Sequence, residues 1–214
     1  MGVRWIGLAL TLVLVGAAAG YGFGLLRREE PITFTDVRPM PASSPSIPID
    51  VVEVLPDPST LPPLPRGIPL VPRTLGEAPF DLVVPVPAGW VRTNPASGEW
   101  RWYPPPGPEQ TLDTYFLRVR LIGNGYRTAT AARDGRIADL ENAADVHDFD
   151  LEETTPNGFV ASYVARKHRR VTMDAFFKPP DTQYAEAWIG VVGRDSDRAG
   201  LAELRQRIVA GAHR

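Results

Sequence analysis

Apolar and polar positions fall into three regimes along this chain. From Trp5 to Leu26 there are 22 consecutive positions without a charge, closed by Arg27-Arg28-Glu29-Glu30. From Pro31 to Pro79 no period holds, because 13 of the 49 residues are proline. From Phe80 onward apolar residues recur with the periods of strands and helices. The regimes predict an anchor or uncleaved signal over residues 1–30, a proline-rich extended linker over 31–79 and a globular head over 80–214.

Within the head, Phe80-Asp81-Leu82-Val83-Val84 starts as a strand and is broken by Pro85 and Pro87, and Ala88-Gly89 turns the chain into Trp90-Val91. Glu99 to Tyr103 is a short strand. Thr114 to Ile122 alternates, with Tyr115, Leu117, Val119 and Leu121 on one side and Arg118 and Arg120 on the other. Thr128 is placed to cap a helix running to about Ala144, with Ile137, Leu140 and Ala144 on one face. Phe149 to Thr154 returns to strand, and Asn157-Gly158 signals a two-residue turn. Two alternating runs, Phe159 to Ala165 and Val171 to Phe177, flank Arg166 to Arg170. Tyr184 to Val192 is the last strand. Ser196 then caps a helix whose buried stripe is Leu201, Leu204 and Ile208, with Glu203 and Arg207 paired at i,i+4.

Strands, a helix, a run of antiparallel strands and a closing helix describe an α+β head, an antiparallel sheet with helices packed on it. Val84-Pro85-Val86-Pro87-Ala88-Gly89-Trp90, followed by that order of elements, resembles the Mog/PsbP-like fold, in particular the actinobacterial LpqN-type envelope proteins. The resemblance spans about Phe80 to Ala212 and rests on a short Pro-Ala-Gly-Trp turn. It implies a non-catalytic accessory or partner-binding domain and carries no site residue with it. LpqN-type proteins bear a lipidated cysteine after the signal, whereas this chain has no cysteine.

The apolar run is long enough to cross a bilayer, which takes about 20 residues. Ala17-Ala18-Ala19 would suit signal cleavage, but apolarity continues through Tyr21, Phe23, Leu25 and Leu26, which favours an uncleaved anchor. Gly16, Gly20 and Gly24 share one helix face at the spacing through which membrane helices pair, so a homodimer through the anchor is one expectation. The proline stalk, extending up to about 3.1 Å per residue, would hold the head away from the membrane on its outer side.

Composition narrows the chemistry. The absence of cysteine excludes disulfides, thiolate metal sites and a cysteine nucleophile. The head carries 17 Lys/Arg against 18 Asp/Glu, without the basic excess of a nucleic-acid surface. Three clusters are candidate sites. Trp100, Trp102 and Tyr103 are placed to border a ligand or partner groove, while Trp90 belongs to the core. Arg166, Lys167, Arg169 and Arg170 suit contact with an anion, or form a solvated hairpin tip. Asp148, Asp150 and Glu152, beside His147, alternate along one strand face, which is the pattern of a solvent side rather than of a calcium loop. No catalytic, metal or cofactor motif is recognisable. The expected protein is therefore a single-pass, extracytoplasmic, non-catalytic one whose head binds an envelope partner or ligand. The alternatives are an envelope enzyme using Asp148 and Glu152, and a small-ligand sensor.

Overall fold

The computed structural model describes residues 52–57, 61–105, 114–123 and 127–214. The apolar run 5–26, with Gly16, Gly20 and Gly24, lies outside the described residues, as does the first part of the stalk. Among the described residues no helix is long and apolar enough to cross a membrane.

A seven-stranded antiparallel sheet organises the head. Its strands are β3 (Val91–Ala96), β4 (Glu99–Tyr103), β5 (Phe116–Leu121), β6 (Val146–Thr155), β7 (Gly158–Ala165), β8 (His168–Phe177) and β9 (Ala187–Gly193), in the order β3-β4-β5-β9-β8-β7-β6. A separate ladder pairs β1 (Leu70–Leu75) with β2 (Leu82–Pro87). Helix α1 (Ala129–Glu141) leads into β6, and α2 (Arg198–Gly211) closes the chain after a 3-10 turn at Asp195–Asp197. The α+β architecture is as expected.

Each face of the sheet has its own core. On one face Leu201, Leu204 and Ile208 of α2 meet Val171, Met173, Ile189, Val191, Leu117 and Val119, joined by Leu82, Val84 and Val86 of β2. On the other, Ala129, Ala132 and Leu140 of α1 cover Phe159, Ala161, Phe176 and Trp188. Strands β7, β8 and β9 are buried on both sides, which explains their near-continuous apolar sequence.

Local chemistry sets the ends of the elements. Thr128 caps α1, its hydroxyl accepting from Ala131 N at 3.1 Å. The helix stops at Glu141, where Asn142 Nδ2 donates back to Ala138 O at 2.8 Å, so Ala144 falls beyond the helical stripe and is exposed. Ser196 does not cap α2; the preceding turn instead directs Asp197 at Arg194. Arg166 and Lys167 form the β7–β8 turn with φ of 50° and 66°, the pair of positive values that two-residue hairpins favour. His168, Arg169 and Arg170 consequently belong to β8. The β6–β7 turn is Pro156-Asn157, and Gly158 already pairs with Thr155.

The proline-rich stretch departs most from expectation. Its second half is a strap on the head rather than a free linker. Leu55 N donates to Lys167 O at 2.7 Å, and Leu64 N to Asp197 Oδ1 at 2.8 Å. Arg194 donates to the carbonyls of Leu61 and Pro62 at 3.1 and 2.8 Å, and Arg207 to Ile68 O at 2.9 Å. Leu64 and Leu75 are core residues. The fit at Gly200 is tight, since a Cβ there would lie 2.3 Å from Leu64 O. Proline lacks a donor, yet an extended proline-rich segment keeps every carbonyl available to arginines from the helix side. Pro85 and Pro87 likewise do not break β2, because Pro85 faces Pro72 in a ladder of only two strands.

Candidate ligand-binding site

Beside α1, the sheet is left open as two adjoining cavities of about 600 and 240 Å³. Both are lined by Phe116, Arg118, Asp145, Tyr163, Ala165 and Val192. Asp57 and Leu61 of the strap border the larger one, and Arg136 of α1 the smaller.

One lateral row of the sheet provides the charged floor. The register sets Arg101 opposite Arg118, Arg118 opposite Gly190, Gly190 opposite Asp174, and Asp174 opposite Phe159. Opposed residues share a face, so the side chains of Arg101, Arg118, Asp174 and Phe159 point the same way, with Gly190 leaving a gap in the row. Gly190 makes the row possible, because a Cβ there would lie 2.6 Å from Asp174 Oδ1 and 3.1 Å from Trp188 Nε1.

Two carboxylates stand against three guanidinium groups. Glu99 Oε1 accepts from Arg101 Nε at 2.8 Å and lies 3.3 Å from Arg118 Nε. Asp174, with no exposed side-chain surface, accepts from Thr172 Oγ1 at 2.9 Å, while its other oxygen lies 3.6 Å from Arg136 Nε. Burial raises the Asp174 pKa, against the opposing pull of Arg136 and the Thr172 hydroxyl. Burial, and after it the like charge of Arg101, lowers the pKa of Arg118 despite Glu99. Aromatic faces hold the cations in place. Arg118 lies 5.6 Å from the Phe116 centroid and 5.1 Å from that of Trp188, and Arg136 lies 4.3 Å from the Trp188 centroid.

Five buried polar atoms here, Arg118 Nε, Arg136 Nε, His168 Nδ1, Asp174 Oδ2 and Trp188 Nε1, have no hydrogen-bond partner among the described residues, although Arg118, Arg136 and His168 face the carboxylates of Glu99, Asp174 and Asp57 at 3.3, 3.6 and 3.4 Å. All five side chains line the two cavities. Buried polar atoms are ordinarily paired, so their concentration at one place singles this cavity out. Guanidinium donors beside aromatic walls are equipped to hold an anion by charge-assisted hydrogen bonds.

The residues expected to form sites are distributed differently. Trp100 and Trp102 lie on the α2 side of β4, with Trp102 buried in the core and Trp100 packed against it. Tyr103 lies on the other face, 5.5 Å from Phe116 and lining the larger cavity. The three therefore do not form one groove. Trp90 packs against the core, 5.8 Å from Tyr115.

The basic cluster is largely matched within the chain. Lys167 Nζ pairs with Glu53 at 2.6 Å, Arg170 Nη1 with Asp57 at 3.0 Å, and Arg169 with Asp148. His168 Nδ1 is 3.4 Å from the same Asp57 carboxylate. Arg166 and Arg170 also line the cavity. The acidic strand loses its simple alternation to two register shifts in β6, and Asp148 adopts a φ of 50°. Glu152 is held by Arg198 through two contacts of 2.6 Å, and the hydrogen bonds from Arg198 lower its pKa. Among the described residues no three histidine or acidic side chains gather as a metal site.

Arg118, Arg136 and Asp174 belong to no local motif of a functional site in the sequence. One signal was present: Val171-Thr172-Met173-Asp174-Ala175-Phe176 places an acid in the middle of an otherwise apolar strand. No family model, curated protein or solved structure matches this chain.

Proposed function

We propose that this chain is a single-pass membrane protein whose head, of PsbP-like fold, lies outside the cytoplasm and acts as a non-catalytic ligand-binding module. Residues 5–26 are its anchor, and Gly16, Gly20 and Gly24 the face on which two anchors associate. The ligand site is the cavity beside α1. The observation that carries this reading is the convergence of five buried polar atoms without hydrogen bonds on adjoining cavities of about 600 and 240 Å³, together within the size range of small-molecule sites. The non-catalytic reading draws support from Asp148 and Glu152, each tied to its own arginine instead of facing a common cavity.

Native mass spectrometry of the full chain, purified from its own membranes in mild detergent, tests the proposal. A small molecule is expected to travel with the wild-type protein. It is expected to be lost from Ala165→Trp, which fills the wall common to both cavities, at an unchanged thermal midpoint. Equal cargo on both proteins, or conversion of the bound molecule into a product, would overturn the reading.

A further inference from the structure

We infer that the ligand of this cavity is a small organic oxyanion, with a carboxylate or phosphate group held between Arg118 and Arg136 and an apolar body against Phe116, Tyr163 and Val192. The inference rests on the cavity being the ligand site. Three features of the floor lead to it.

First, the buried Nε atoms of Arg118 and Arg136 make no hydrogen bond among the described residues, and each side chain is largely buried, at 17% and 21% exposure. A guanidinium carries five N–H donors and no acceptor. Each Nε faces an acid of the fold without a hydrogen bond, Glu99 at 3.3 Å and Asp174 at 3.6 Å, and the remaining donors of the two groups are open to an acceptor from outside the fold.

Second, the neighbouring acids are already engaged or too few. Glu99 is divided between Arg101 and Arg118. Asp57 is taken by Arg170 and His168 at the rim. Asp174 faces Arg136 from a position where burial opposes its charge. Asp145 stands at the exposed edge. Cations lying this close repel one another, and a bound anion relieves that repulsion.

Third, the wall is apolar where the guanidinium groups are not. Phe116, Tyr163, Ala165 and Val192 adjoin the charged row on the same face of the sheet. An inorganic ion would leave that surface uncovered, so the ligand has a body as well as a head.

Calorimetry on the full chain in detergent tests this with four probes: 3-phenylpropionate, phenyl phosphate, neutral 3-phenylpropanol and inorganic phosphate. At least one of the two aromatic anions should bind tenfold or more tightly than the alcohol and than inorganic phosphate, and the better of the two identifies the head group. Arg118→Gln and, independently, Arg136→Gln on α1 should each weaken that binding tenfold or more. Arg118→Lys should retain part of it. Asp174→Asn, which keeps the shape and removes a negative charge, should tighten it severalfold, a gain that a purely structural role would not produce. Thermal midpoints identify any variant that fails to fold, and the other arginine then decides the question.

Equal binding of acid and alcohol, or binding indifferent to both arginine substitutions, would overturn the anion assignment while leaving the cavity as a ligand site. Failure of both aromatic anions to bind also overturns it. Cargo unchanged by Ala165→Trp would instead remove the site itself.

Discussion

Arg118 and Asp174 stand in one lateral row of the sheet with a single residue, Gly190, between them. The gap is filled by the Asp174 carboxylate and the Trp188 indole, which a Cβ at Gly190 would meet at 2.6 and 3.1 Å. Gly190→Ala must therefore displace a buried acid from its Thr172 bond. We expect a loss of about 1–3 kcal/mol, the usual cost of overpacking a tight core, measured as a shift of the urea midpoint. Gly135 in α1 provides the contrast, since a Cβ there meets only the end of Arg127 at 3.4 Å. Gly135→Ala should stabilise the chain by about 0.5–1 kcal/mol through helix propensity.

Asp174 also gives stability a pH dependence of definite sign. Burial raises its folded pKa above the unfolded value of about 3.9. The folded chain thus holds this proton to higher pH than the unfolded chain does. Its contribution is fully present below the unfolded pKa and is lost as pH rises through the folded pKa. Asp174→Asn removes the titration. In paired urea titrations the stability of wild type relative to Asp174→Asn should decline from acid towards neutral pH, and a relative gain with rising pH would contradict the assignment.

Two ion pairs on the strap side and on the sheet edge should differ sharply in weight. Arg194 and Asp197 are 3% and 0% exposed, and Asp197 also accepts from Leu64 N. Removing the acid leaves a buried cation and an orphaned amide, so Asp197→Ala should cost about 3–5 kcal/mol. It should also speed hydrogen exchange at the Leu64 amide. Glu152 and Arg198 are partly solvated, and Glu152→Gln should cost less than about 1 kcal/mol near neutral pH.

Much of this architecture could be read from local pattern. The bounds of β4, the Thr128 cap and the α2 stripe each depend on neighbours within a turn or a strand, which the sequence displays directly. The strap could not, because proline marks where regular hydrogen bonding ends and not where a chain is held by arginines from elsewhere. Recognition of its partners required Asp197 to meet Leu64 across 133 positions. The cavity was hidden for the same reason. Arg118, Arg136 and Asp174 lie on β5, α1 and β8, and only the strand order β5-β9-β8 with α1 above it brings them together. The local signals favoured Trp100, Trp102 and the basic turn, whose side chains the fold assigns to the core and to Glu53, Asp57 and Asp148.

The strap also changes where the folded unit begins, and this can be measured. Leu64 is 4% exposed within the α2-side core, and β1 supplies Leu75 to the same cluster. If the strap is integral to that core, Leu64→Ala in the full chain should cost about 2–5 kcal/mol, as Leu201→Ala on α2 should. A fragment starting at Phe80 loses both leucines and the β1 ladder. It also strips Arg194 of the Leu61 and Pro62 carbonyls and uncovers Leu82, Val84 and Val86 of β2. That fragment should be far less stable than one starting at residue 52, with a lower urea midpoint and stronger binding of a hydrophobic dye. Equal midpoints for the two fragments, together with a negligible effect of Leu64→Ala, would return residues 61–79 to the role of a tether.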